Sequence, residues 1–131
     1  MKLEPSGPLG AAGLLIGRLL LASLFILEGW SKVRGYQQAA AYMDHFGVPS
    51  LLLPAAIALE LGGGLMLAIG WQGRIAAAAL SAFCVATAVI FHNQLSNGNQ
   101  LLHFEKDLAI AGGLLVLAVA GAGRWSLDGR A

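Results

Sequence analysis

The sequence predicts an all-α integral membrane protein: a four-helix bundle of antiparallel, up-down topology. Three observations carry this prediction. Of 131 residues, 57% are hydrophobic and 11% are charged, against about 25% charged in an ordinary soluble domain. The apolar residues fall in long blocks rather than alternating patches, as expected for a chain whose solvent is lipid. The blocks repeat along a chain with room for a single domain, residues 1–131.

The first block, residues 9–30, has the roughly 20 residues needed to cross the hydrocarbon at 1.5 Å per residue. The second covers residues 51–71, the third 75–91 and the fourth 107–121. The last two are short and span if their flanking polar residues reach the interface. The N-terminal segment reads as a retained first helix rather than a cleaved signal. Glu4 offsets Lys2, Arg18 interrupts the apolar run, and no clean small-x-small site precedes Lys32.

The connections differ in character. Trp71-Gln72-Gly73-Arg74 is a tight turn, which makes the second and third spans antiparallel neighbours. Residues 33–50 form a longer loop whose aromatic and apolar residues suit a short interfacial helix, stopped by Gly47 and Pro49. The segment from His92 to Lys106 is the most polar, with a turn signal at Ser96-Asn97-Gly98-Asn99. Close helix approach is expected at Gly13 and Gly17, at Gly62-Gly63-Gly64, and along Ala78, Ala82 and Ala86.

Composition also excludes. A net charge of +1 gives no basic field to recruit nucleic acid. Cys84 is the only cysteine, so an internal disulfide and a CxxC pair are both ruled out. There is no Ser-His-Asp order, phosphate loop or nucleotide fingerprint, and the triple glycine lies inside a span. His92 and His103 lack compact ligand spacing, so no metal site is expected.

Function enters through charges within or beside apolar spans. Arg18 and Glu60 lie inside spans, where a lone central charge costs roughly 2.5–3.5 kcal/mol on insertion scales. Counted from Trp30 and Leu51 they sit at similar depth, so an Arg18–Glu60 pair facing the bundle interior is expected. Such a pair serves either as a clip fixing helix register or as part of a proton-accepting pocket. A second polar layer lies nearer the outer face. Glu28 and Lys32 are four residues apart on one helix side, His92 and Asn93 close the third span, and Lys106 and Asp107 open the fourth. With His103 and Glu105 they compose a polar end. The plainer reading leaves Lys32 snorkelling, His92 at the interface, and His103 and Glu105 as solvated loop residues. Orientation rests on Lys2, Arg74, Arg124 and Arg130 against Lys32, Arg34 and Lys106. Four against three favours cytoplasmic N- and C-termini.

The motifs also resemble a known family. Gly17-Arg18-Leu19-Leu20-Leu21 followed by Gly29-Trp30-Ser31-Lys32 is similar to the opening of the DoxX family. Phe46-Gly47-Val48-Pro49 and Glu60-Leu61-Gly62-Gly63-Gly64 resemble its central signature. Gly70 to Arg74, Ala76-Ala77, and Gly121-Ala122-Gly123-Arg124-Trp125-Ser126-Leu127-Asp128 resemble its remainder. Gly-Ala-Gly at 121–123 departs from the Gly-Pro-Gly of many relatives. The resemblance implies a multi-pass protein of the bacterial inner membrane linked to membrane redox systems. It carries over to Arg18, Gly29, Lys32, Glu60, Gly63 and Leu127-Asp128.

Taken together, the expectation is a redox-system component binding a quinone or similar isoprenoid ligand, with no intrinsic cofactor. Whether it is itself an oxidoreductase subunit stays open, as do its catalytic residues. The ligand-binding or proton-relay candidates are Arg18, Glu28, Lys32, Glu60, His92, Lys106 and Asp107. Expected partners are the lipid bilayer, a redox partner subunit that supplies electrons, and a second copy of the chain. The alternatives are a non-enzymatic membrane anchor or assembly partner, and a small-solute transporter.

Overall fold

The computed structural model describes Glu4 and residues 7–130, leaving Lys2 outside the described residues. Five α-helices follow in order: α1 Pro8–Arg34, α2 Tyr36–His45, α3 Leu53–Ile69, α4 Gly73–Phe91 and α5 Gly98–Ala120. Short 3₁₀ turns occupy Ser50–Leu52 and Asp128–Arg130. No strand occurs among the described residues.

Three segments are long and apolar enough to cross a membrane: Pro8–Arg34, Ser50–Ile69 and Gly73–Phe91. Helix α5 is of similar length, at 23 residues, but its polar first half carries Glu105, Lys106 and Asp107. It begins at Gly98, well before the expected boundary near residue 107, because Asn97 caps it. The Asn97 side chain accepts from the backbone N–H groups of Asn99 (3.0 Å) and Gln100 (3.3 Å). These bonds satisfy donors that a helix start otherwise leaves open. The turn signal at 96–99 therefore marks a helix start rather than a polar loop.

Helix α3 stops at a Schellman motif. Gly70 adopts φ 73°, with Trp71 N–H donating to Met66 O (3.0 Å) and Gly70 N–H to Leu67 O (3.2 Å). Gln72 follows in the left-handed region at φ 51°, and α4 starts at the next residue. So short a connection turns α4 back along α3.

Helix α1 packs along α3 and α4 along α5, with a smaller α3–α4 contact and a sparse α1–α5 contact. Side-chain bonds fix the directions. Arg18 meets Ala68 while Lys32 meets Glu60, so α1 and α3 are antiparallel. Arg74 meets Val119 while Ser81 donates to Ala111 O (2.9 Å), so α4 and α5 are also antiparallel. The core between them consists of Ala22, Phe25, Leu67, Ala77, Leu80, Cys84, Ala111, Leu114 and Leu117. The outside is just as apolar: Leu20, Leu27, Val116 and Val119 are at least two-thirds exposed. An apolar exterior over closed helices is what lipid requires, because backbone polar groups must be satisfied within the segment.

Close approach uses only part of the expected small-residue set. A Cβ on Gly29 would meet Leu61 Cγ at 2.7 Å, and one on Gly64 would meet Ile26 Cγ1 at 2.9 Å, so glycine brings α1 and α3 together. Gly63 lies against Leu80 of α4, where an added Cβ would meet Cδ2 at 3.2 Å. Gly13, Gly17 and Gly62 have nothing within 4 Å of an added Cβ. Ala78, Ala82 and Ala86 are exposed, and Ala76, Ala77, Leu80, Ser81, Cys84 and Ala88 are buried instead. An alanine-rich helix carries small residues on several faces, so spacing alone cannot choose the face.

Candidate functional site

The two ends of the helical body use charge differently. At the end holding the start of α1, the segment after α5 folds back over the helix termini. Arg18, buried at 2% exposure, anchors it. Its guanidinium donates to Ala122 O (2.5 Å), Trp125 O (3.1 Å) and Ala68 O (3.3 Å). These carbonyls belong to the last turn of α3 and to the chain just beyond α5. A cation there also meets the negative ends of two helix dipoles. Arg74 repeats the device, donating to Val119 O (2.5 Å) at the end of α5.

Asp128 provides the opposite charge. Its carboxylate accepts from Gln72 N–H and Gly73 N–H, both at 2.8 Å, and so caps α4 from a distant part of the chain. Two backbone bonds, Leu127 N–H to Ile69 O (3.1 Å) and Asp128 N–H to Gly70 O (2.9 Å), lay the tail against the end of α3. Gly70 is needed here for space as well as conformation, since a Cβ would collide with Ser126. Arg18, Arg74 and Asp128 each meet backbone groups of opposite polarity.

The expected Arg18–Glu60 pair does not form. Glu60 instead meets Lys32, Nζ to Oε1 2.8 Å, with the carboxylate side chain 3% exposed. Lys32 lies roughly 21 Å along α1 from Arg18 at 1.5 Å per residue. Gly29 and Lys32 of α1 lie level with Leu61 and Glu60 of α3, so Leu51 is not level with Trp30, and Arg18 falls opposite Ala68 instead.

Lys32 also lies 3.8 Å from Glu28 Oε2, its i,i+4 neighbour. Across the bundle, His92 follows the last residue of α4. Its Nδ1 donates to Gln100 Oε1 (3.0 Å) and its Nε2 faces Asp107 Oδ2 at 3.9 Å. The His103 ring stacks on His92 with centroids 5.1 Å apart. Cys84 is buried in the core on α4.

The fold thus gathers Glu28, Lys32, Glu60, His92 and Asp107 at one end and sends Arg18 to the other. Lys106 stays exposed, with no carboxylate within 4 Å among the described residues. Gln100 joins the site without any sequence signal of its own; its place follows from the Asn97 cap, which winds residues 98–106 into helix. Asp128 stood out only through the family-like ending, with no role attached. The shallow hollows near this clasp, one of about 350 Å³ beside Gln72, Arg74 and Asp128, are remote from the Lys32–Glu60 pair. No group of three or more metal-ligating side chains suited to an ion occurs among the described residues.

Helices apolar on both their inner and outer faces, with a buried ion pair near one end, define a helical membrane protein. Its relatives make the class specific. The family model described as DoxX matches residues 13–93, and the chain belongs to the DoxX family. It is 42% identical over 116 residues to inner membrane protein YqjF of Escherichia coli (strain K12), covering 88% of this chain and 89% of that protein. It is 33% identical over 124 residues to inner membrane protein YphA of the same organism, covering 89% of each. No solved structure matches the chain.

Proposed function

We propose that this protein is a component of a membrane redox system that receives a quinone or similar isoprenoid-tailed ligand at its polar end. The observation that carries the reading is the Lys32–Glu60 pair, 2.8 Å apart and inside an apolar helical body. A buried ion pair is an expensive way to hold helices together, since a well-packed apolar pair does so as well or better. In a membrane span such a pair points first to function. A quinone head needs hydrogen-bond donors and a proton source, and its tail needs an apolar wall. Lys32 and His92 supply donors, Glu60 and Asp107 exchange protons, and the apolar helix faces receive the tail. Electrons come from a partner subunit, because a lone cysteine offers the chain no dithiol of its own.

In this reading α5 is the fourth span and closes an up-down bundle. The termini are cytoplasmic: Lys32 is engaged with carboxylates, which leaves Arg34 and Lys106 outside against Arg74, Arg124, Arg130 and Lys2 inside. Mass spectrometry of mildly purified protein tests the proposal. Wild-type protein is expected to retain quinone, and Glu60→Gln and Lys32→Met are expected to lose it. Equal retention in all three, with unchanged quinone-linked activity in cells, overturns it. The anchor reading draws on α2, which stacks Tyr42 on Phe91 of α4 with ring centroids 5.4 Å apart, buries none of its residues fully and so leaves its other faces open to a partner. It predicts instead a stable partner that co-purifies equally with wild type and with Glu60→Gln.

A further inference from the structure

The polar end contains three ionisable side chains graded by access to water. Glu28 is 57% exposed, Lys32 29% and Glu60 3%. The ammonium lies between the two carboxylates, 2.8 Å from the buried one and 3.8 Å from the exposed one. The shorter distance is a direct ion-pair contact, within hydrogen-bonding range. The longer one closes with a movement of about 1 Å by the flexible lysine stem, or through one bridging water. We propose that Glu28 and Lys32 form the proton route between the aqueous face at this end and Glu60.

Each step is a simple proton transfer. The Lys32 ammonium gives a proton to the Glu60 carboxylate, leaving a neutral amine and a carboxylic acid. Glu28, protonated from solvent, then restores the ammonium and returns to its carboxylate form. The net change is one proton moved from bulk water to Glu60, with no electron transferred. The other groups around Glu60 do not provide an equivalent path. Among the described residues no ion pair or side-chain hydrogen bond joins Glu60 to Asp107, His92 or His103.

The route extends the reading of Glu60 as a proton donor to a bound quinone, yet its test needs no quinone. Infrared difference spectra of the full chain in lipid nanodiscs after a pH jump isolate the Glu60 carboxyl as the band that Glu60→Gln removes. Glu28→Gln, a change at an exposed position, is expected to slow the appearance of that band at least tenfold. Lys32→Arg keeps the positive charge and the ion pair but holds its proton too tightly to pass it on, and is expected to slow it similarly. Asp44→Asn, a change at an exposed carboxylate of α2 that takes no part in the site, is expected to leave the rate unchanged. An unchanged rate in Glu28→Gln or Lys32→Arg, equal slowing in Asp44→Asn, or no band that depends on Glu60 overturns the route. If the band slows as expected while quinone retention fails, the route stands and the quinone reading falls.

Discussion

The clasp end and the polar end hold similar side chains in opposite circumstances. Arg18 is buried and its two terminal nitrogens donate to three backbone carbonyls, while Asp128 accepts from two backbone N–H groups. These charges complete helix termini that would otherwise be left with unpaired groups in a low-dielectric setting. At the other end Lys32 and Glu60 face each other, and His92 faces Asp107. Charges that meet backbone are spent on structure. Charges that meet only one another can change protonation state without dismantling a helix end. The position of a charge inside the membrane therefore says less about its purpose than the partner it finds.

Stability measurements on detergent- or nanodisc-embedded protein can break this comparison. The largest loss is expected from Arg18→Met, which strips donors from three carbonyls at about 1–3 kcal/mol for each group left unsatisfied. Reversible unfolding should show it as a fall of several kcal/mol, and a change below about 1 kcal/mol would remove Arg18 from the clasp. Gly64→Ala comes next. It forces a Cβ against Ile26, and overpacking of this kind costs about 1–3 kcal/mol. The same change at Gly17, where an added Cβ has open space, should be close to neutral, so an equal loss at both sites would mean that α1 packs on another face. Asp128→Ala removes the cap of α4 and should cost about 1–2 kcal/mol. Asp128→Asn, which keeps an acceptor oxygen, should recover part of that. Ser81→Ala loses one interhelical hydrogen bond, and bonds of this type in membrane proteins average about 0.6 kcal/mol.

The smallest stability change belongs to the residue placed at the centre of function. Glu60→Gln keeps shape and volume, and Lys32 retains Glu28 as a partner. Unfolding should shift by only about 0.5 kcal/mol, because Gln still offers Lys32 an acceptor oxygen and the part-exposed ammonium keeps Glu28 and water, so no buried charge is stranded. A large loss would make the pair a structural clip after all.

Much of this was legible in the sequence, for physical reasons that also explain the gaps. Apolar blocks identify spans because lipid tolerates little else, and Trp71-Gln72-Gly73-Arg74 marks a turn because Gly70 and the residues beside it leave helical geometry. The family-like spacing pointed to Arg18, Lys32 and Glu60 together. It did not say which pairs with which. That required the register of α1 against α3, which hydropathy cannot give: the ends of two apolar runs, Trp30 and Leu51, do not lie level in the fold. Residues 98–106 read as loop because polarity outweighed the Asn97 cap. The alanine stripe on α4 failed for another reason: several faces offered the same spacing, and only the packing of Leu80 against Gly63 sets the rotation. Asp128 could not be assigned from its surroundings in sequence, since the helix it caps begins far upstream.

One titration separates the two ends most directly: the affinity of a short-chain quinone for Glu60→Gln and Asp128→Asn, each compared with wild type in nanodiscs. Glu60→Gln is expected to weaken binding at least tenfold while unfolding like wild type. Asp128→Asn is expected to bind like wild type while unfolding more easily. Wild-type quinone affinity in Glu60→Gln would contradict a functional polar end and return the Lys32–Glu60 pair to structure.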